Sequence, residues 1–251
     1  MPVTDPRHIL ITGASRGLGA ALALAYAAPG RHLALGGRNA ERLASVARAC
    51  TDRGAVCATA RIDVTDAPAM ADWIAAADAA SPLDLVIANA GVSHGTAGSG
   101  ADADDVIFAI NVGGVLNTVK PAAHAMRERR RGQIAIIGSL AGLCGFAGVG
   151  AYCASKAAVH RYGQALRAEL VPLGVGVTVV CPGFIRTDMT ADAGFPMPFL
   201  MDADRAAAII QRRLRKSPPL VAFPRPMALA LRGLDLLPPR LVEGLVQKSV
   251  K

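Results

Sequence analysis

No Cys-x-x-Cys pair occurs in this 251-residue chain, and its five cysteines, Cys50, Cys57, Cys144, Cys153 and Cys181, show no zinc-like spacing with the five histidines. An odd number of scattered thiols excludes a disulfide framework and a zinc cluster, so reduced thiols and no metal site are expected. Cys153, beside Tyr152, is expected to be buried as a small apolar residue, because adjacent residues on a helix point about 100° apart. No apolar run reaches the roughly 18 residues of a membrane span. The start, MPVTDPRHILITG, enters a strand without the basic and long apolar regions of a secretory leader, and a cytoplasmic location is expected. Charged residues are also few, at 18%, against 52% hydrophobic residues and 26 glycines. That excludes disorder and suits buried parallel strands between Ala-rich helices. A chain of this length can bury a full core in one domain, residues 1–251.

The net charge of +8 is not spread evenly: residues 205–251 hold ten Lys or Arg against Asp235 and Glu243, while the rest of the chain balances. Without a zinc-finger, basic-zipper or aromatic-and-basic pattern, this excess does not indicate nucleic acid.

Apolar or β-branched runs alternate with helical patterns as far as about Cys181, the signature of a parallel sheet with crossover helices. Strands are expected at HILIT, HLALG, VCATARI, DLVIA, QIAIIGS, GVTVV and LVAF, and helices over Gly17–Ala28, Ala40–Arg53, Ala67–Ala79, Asp104–Arg130 and Tyr152–Pro172. The fold class is α/β, a single Rossmann-type doubly wound parallel sheet with helices on both faces and ligands beyond the carboxyl ends of its strands. Nine of the sixteen prolines follow Cys181, so that region reads as loops and short helices.

The motifs follow the strands. TGASRGLG, after the first, spaces Gly13, Gly17 and Gly19 as a turn whose amides can approach a pyrophosphate at a helix N-terminus. Arg38, after the second strand, and Arg16, inside the turn, favour a 2′-phosphate and hence NADP(H) over NAD(H), because an acidic residue near Arg38 would repel it. Asp63 and Val64 follow the third strand, and Asn89, Ala90 and Gly91 the fourth. Asn111 interrupts an apolar helix and needs a partner there. Ser139 ends the fifth strand. Thirteen residues later Tyr152 begins a helix with Lys156 one turn on, so a phenol and an ammonium share one face and can handle a proton.

Taken together, TGASRGLG, Asp63–Val64, Asn89–Gly91, Asn111, Ser139, the Tyr152–Lys156 pair, Pro182–Gly183 and Thr187 resemble the short-chain dehydrogenases/reductases over about residues 8–190. Ala88, where that family often has a second Asn, is a small departure. The resemblance implies Tyr152 as acid/base, Lys156 lowering its pKa and holding the nicotinamide ribose, Ser139 holding the substrate oxygen, and Asn111 positioning a water. It implies cofactor contacts at Gly13, Ser15, Arg16, Gly17, Leu18, Gly19, Arg38, Asp63, Val64, Asn89, Ala90, Gly91, Tyr152, Lys156, Pro182, Gly183 and Thr187. The small residues Ala154 and Ser155 let the cofactor lie close against the helix, with a neutral helix-surface residue as the alternative for Ser155, and His94 reads as a solvated loop histidine.

The expected substrate is a small carbonyl or alcohol compound. Phe184, Met189, Phe195, Met197, Phe199, Leu200 and Met201 are placed as an apolar lid within residues 184–216. A catalytically silent NADP-binding regulator would keep the glycine turn without needing Ser139, Tyr152 and Lys156 together, and a methyltransferase would favour an acid where Arg38 stands. The Ala-rich helices Asp104–Arg130 and Tyr152–Pro172 are expected to pair in a homodimer or homotetramer, as the resemblance suggests. The basic tail, 224–251, carries an apolar stripe of Leu241, Val242, Leu245 and Val246 opposite Arg240, Glu243, Gln247 and Lys248. This stripe suits a lid, a subunit contact or peripheral membrane contact.

Overall fold

A computed structural model describes residues 3–97, 102–191, 196–234, 237, 238 and 240. All seven expected strands form, as β1 (His8–Thr12), β2 (His32–Gly37), β3 (Val56–Arg61), β4 (Leu85–Ala88), β5 (Gly132–Ile137), β6 (Val175–Pro182) and, after the short pair β7 (Ile185–Arg186) and β8 (Met201–Asp202), β9 (Leu220–Phe223). They make one parallel sheet in the order β3-β2-β1-β4-β5-β6-β9. The order reverses between β1 and β4, which opens a crevice beyond their carboxyl ends.

Strand residues alternate between two cores because successive side chains leave opposite faces of a sheet. Ile9, Ile11, Leu85, Ile87, Ala135 and Ile137 face a core shared with α1 (Gly17–Tyr26), α2 (Ala40–Thr51) and α8 (Ala203–Leu214). Leu10, Val86, Ala88, Ile134 and Ile136 face the other, against α3 (Ala67–Ala80), α6 (Gly114–Glu128) and α7 (Gly150–Leu170). Each fully buried Leu or Ile stabilises the fold by about 2 kcal/mol.

Helix starts follow local chemistry. Asn39 caps α2 through the Arg42 amide, and Asp66 caps α3 through that of Ala69, with Pro68 in the first turn. The expected single helix from Asp104 to Arg130 is instead α5 (Asp102–Phe108), a π-helical turn (Ala109–Gly113) and α6, after the short α4 (His94–Ala97). Asn111 lies in the π turn, where a widened ladder is common at functional positions. The stretch 102–128, though interrupted by polar residues, is long and apolar enough to cross a membrane by length and composition. Half of its most apolar window is buried against the sheet and α3. Within the segment expected as a lid, residues 203–214 are a full helix packed on α1 through Ala206, Ala207, Ile210 and Leu214.

The tail stripe at 241–248, like Phe195, lies outside the described residues. Its described start, α9 (Arg225–Leu234), packs Ala228 and Leu231 against Leu140, Val179 and Cys181.

Candidate active site

The glycine turn is tight because three backbones meet there. Gly13 and Gly17 take φ of 66° and 55°, a left-handed conformation that only glycine adopts without strain. A Cβ on Gly19 would lie 2.1 Å from the Gly13 carbonyl oxygen and 2.6 Å from Asn89 Nδ2. Gly19→Ala must therefore push α1 off the turn, and is expected to cost more than about 2 kcal/mol, as overpacking does. An unchanged unfolding temperature would contradict this contact.

Asn89 stitches the turn to β4: its amide donates to the carbonyls of Thr12 (3.0 Å) and Gly13 (3.3 Å). The Thr12 hydroxyl accepts from the Asn89 and Ala90 amides at 3.1 and 3.2 Å. Thr12, an ordinary strand residue in the sequence, was not foreseen in this role. Ala90 closes against Gly13, while Ser15 faces Gly37 at the end of β2. The Leu18 side chain packs toward the core.

The cations gather where β2 ends. Arg38 is 63% exposed and lies 3.9 Å from Asp63, whose other oxygen accepts from the Thr65 amide and hydroxyl. Arg16 and Arg42 both pair with Asp188, at 2.9 and 3.4 Å, and the Arg16 hydrogen bond holds that carboxyl below its usual range. Arg42 and Asp188 were missed from the sequence, although Arg42 sits in the first turn after Arg38. Val64 turns its side chain under Gly114, and its carbonyl accepts from Asn117. Beyond β6, Gly183 donates its amide to Phe223. Thr187 comes over Gly17, close enough that a Cβ there would lie 3.1 Å from Thr187 Cγ2. Pro182 and Gly183 thus lead a loop back onto the glycine turn.

Ser139, just past β5, caps a 3-10 turn (Leu140–Leu143), its oxygen accepting from the Ala141 amide. That turn lies directly on α7: a Cβ on Gly142 would be 2.7 Å from the Lys156 carbonyl carbon. Gly142, unremarked in the sequence, therefore allows the Ser139 hydroxyl to approach the Tyr152 phenol closely enough to lower its pKa. Lys156 is 4% exposed and donates to the Ile137 carbonyl at 3.1 Å, with Nζ 5.8 Å from the centre of the Tyr152 ring. Burial pushes this ammonium down to about 8. Burial is the largest influence on Tyr152 and raises it, the Ser139 hydroxyl pulls it down, and Cys153 and Cys181 push it up.

Asn111 is fully buried and its amide is spent inside the protein. It accepts from the Val92 amide (2.8 Å) and donates to the Val92 carbonyl (2.9 Å) and the Ser155 hydroxyl (3.1 Å). Its side chain thus braces the segment after β4 against α7. Ser155 is correspondingly buried and donates to the Tyr152 carbonyl at 2.8 Å, which corrects its reading as a surface residue. Gly91 leaves room for both groups, since its Cβ would lie 3.1 Å from Asn111 Oδ1 and 3.3 Å from Lys156 Nζ. His94, expected in solvent, sits 3.1 Å from Asp104. Cys153 is buried as expected. Of the described lid residues, Phe199 is 57% exposed and Met201 packs on the core.

A profile of the short chain dehydrogenases matches residues 7–195. An uncharacterised oxidoreductase of Myxococcus xanthus is 37% identical over 245 residues, which is 96% of this chain and 97% of that protein. A ketoacyl reductase of Nostoc sp. is 32% identical, covering 94% of this chain and 85% of its own length. A short-chain dehydrogenase from Sphingobium yanoikuyae, solved in complex with NADPH, superposes with a TM-score of 0.80 at 27% identity over 96% of this chain and 95% of that one. With its glycine turn, its Ser139–Tyr152–Lys156 cluster and its seven-stranded parallel sheet, the chain belongs to the short-chain dehydrogenase/reductase family of oxidoreductases.

Proposed function

We propose that this oxidoreductase interconverts a carbonyl and an alcohol group on a small apolar substrate, with NADP(H) as cofactor and Tyr152 as the proton donor and acceptor. The reading is carried by one observation: a phenol, a serine hydroxyl and a buried ammonium converge where β5 ends, beside a glycine turn. The residues present fit a dinucleotide. Gly13 and Gly19 leave no room for a side chain at the turn, α1 starts without a side-chain cap, and Lys156 Nζ keeps donors beyond the single backbone bond to Ile137. Gly13–Gly19 and Asn89–Gly91 would hold it, with Asp63 and Val64 at its adenine end, Tyr152 and Lys156 at its ribose, and Pro182, Gly183 and Thr187 closing over it. The bound dinucleotide supplies the hydride donor or acceptor.

Ser139 holds the substrate oxygen against Tyr152. In reduction the phenol gives its proton to that oxygen as the carbonyl becomes an alcohol, and in oxidation it takes the proton back. Leu143, Phe146, Met227 and Leu234, partly buried around Leu140, give the neighbouring surface an apolar character that suits an apolar substrate. The likeness to a ketoacyl reductase agrees with a carbonyl substrate.

For cofactor choice, Arg38 with Arg16 and Arg42 presents three guanidiniums against Asp63 and Asp188. The wild type is expected to favour NADPH over NADH in kcat/KM, and Arg38→Asp to lower that ratio by about tenfold or more, the size of one lost charge-assisted contact. An equal or greater preference for NADH in the wild type would overturn the assignment.

A homodimer or homotetramer fits the apolar residues left open on the helices expected to pair: Val106 (36%) and Phe108 (42%) on α5, and Val171 (44%) just past α7. Light scattering at micromolar concentration should give a multiple of 25.8 kDa. A monomeric mass would count against pairing.

A further inference from the structure

The amino ends of the strands, on the edge of the sheet opposite the candidate active site, carry a second concave feature. An open groove of about 620 Å³ is lined by Arg7, His8, His32, Asp84, Arg129 and Arg131, with Gly30, Ser81 and Pro82 between them. The strand register brings these residues into a row. His32 begins β2 beside His8 of β1, Asp84 immediately precedes β4, and Arg131 immediately precedes β5. Neighbouring strands are about 4.8 Å apart, so the charged heads stand within reach of one small ligand.

The acids of this edge point inward and the cations outward. Asp84 is 14% exposed and its two oxygens are taken by the Arg7 and His8 amides and by Arg131, whose own side chain is 65% exposed. Asp78 is 19% exposed and holds Arg129, which also donates to the carbonyls of Leu83 and Arg131. His8 Nδ1 faces the Ser81 carbonyl at 2.7 Å, so that nitrogen carries its proton, and the ring meets His32 edge-on at 6.2 Å. The Arg7 guanidinium and the His32 ring make no hydrogen bond or ion pair within the fold among the described residues, and both are exposed. Arg129 and Arg131 are thus ion-paired with Asp78 and Asp84, and the Arg7 guanidinium adds a positive charge to the groove with no ion pair among the described residues. The RRR run at 129–131 passes through this turn with Arg130 at φ 53°, a left-handed position normally given to Gly or Asn.

We propose that this groove is a binding site for a small molecule bearing a pyrophosphate or polyphosphate group, separate from the dinucleotide site. Forked guanidiniums on Arg7 and Arg131 match the paired oxygens of adjacent phosphates, and the exposed His32 imidazole stands beside them as a third polar group. The volume suits a ligand of nucleotide size rather than a single ion.

Titration calorimetry of the full chain with inorganic tripolyphosphate at low ionic strength tests this, with and without saturating NADPH. One equivalent is expected to bind in both conditions. The double variant Arg7→Gln/His32→Asn, which breaks no hydrogen bond or ion pair among the described residues, should weaken binding by at least about tenfold with little change in the unfolding temperature measured in the absence of phosphate. No heat of binding at millimolar probe, or equal affinity in the double variant, would overturn the proposal. Loss of all binding on adding NADPH would do so as well, by placing the anion in the dinucleotide site. The variant comparison does not depend on which dinucleotide the enzyme uses, so the groove and the cofactor assignment can fail separately.

Discussion

Tyr152→Phe is expected to lower kcat by about 10²–10⁴, the usual contribution of a positioned acid or base, while leaving dinucleotide binding intact. The substitution removes one oxygen and keeps the ring that packs beside Lys156. Because burial raises the phenol and the Ser139 hydroxyl only partly offsets it, the neutral phenol prevails through neutral pH. The proton-donating form is then the abundant one, so the wild type should reduce substrate well at pH 7, and the oxidation direction should accelerate as pH rises into the alkaline range. Steady-state kinetics in both directions, with fluorescence titration of NADPH, separate the two effects. Near-normal turnover by Tyr152→Phe would remove it as the acid/base, whereas loss of dinucleotide binding would make it a structural residue.

Lys156→Met should separate stability from activity in the opposite sense. Lys156 is buried with one backbone acceptor, and its ammonium is pushed down from 10.5 to about 8. In the folded chain it therefore binds fewer protons than in the unfolded chain between these values, so its contribution to stability rises as pH climbs from about 8 to 10.5. That contribution is fully present above this window and lost as pH falls through about 8. At pH 7 the buried charge costs about 3 kcal/mol, at about 1.4 kcal/mol per pKa unit. Met removes the charge at similar volume but leaves the Ile137 carbonyl without its donor, which offsets about 1 kcal/mol. The variant should unfold about 5 °C higher at pH 7 and lack the alkaline rise that this group gives the wild type. Turnover should fall by about 10² or more, since a destabilising group kept at a site marks function. An unfolding temperature equal to or below that of the wild type at pH 7 would show that the ammonium is not a source of strain. Calorimetric scans across pH 6–10 in the absence of dinucleotide read this directly.

Much of this site is legible along the chain because its parts follow strands. A parallel sheet delivers every strand end to the same edge, so TGASRGLG, Asn89–Gly91, Ser139 and Pro182–Gly183 need only be placed after their strands to be placed near one another. The Tyr152–Lys156 pair needs only helical geometry. Period-two alternation similarly assigns Ile9 and Ile11 to one core and Leu10 to the other. Helix α8 was harder to see, because prolines on either side masked a twelve-residue amphipathic segment.

What the sequence by itself determined was local order: the strand runs, the turns after them, and which residue types stand at each strand end. Those depend on neighbours within a few positions. Tertiary structure alone decided the contacts that join distant segments, and with them the charge states. Thr12 became a hydroxyl clamp on Asn89 only once β4 lay beside β1. Ser155 was buried when the π turn at Ala109–Gly113 brought Asn111 against α7. Arg16 and Arg42 met Asp188 across more than a hundred residues of chain when the loop after β6 folded back. The low ammonium of Lys156 and the raised phenol of Tyr152 are likewise properties of burial. Desolvation depends on everything packed around a group, and no spacing along the chain encodes it.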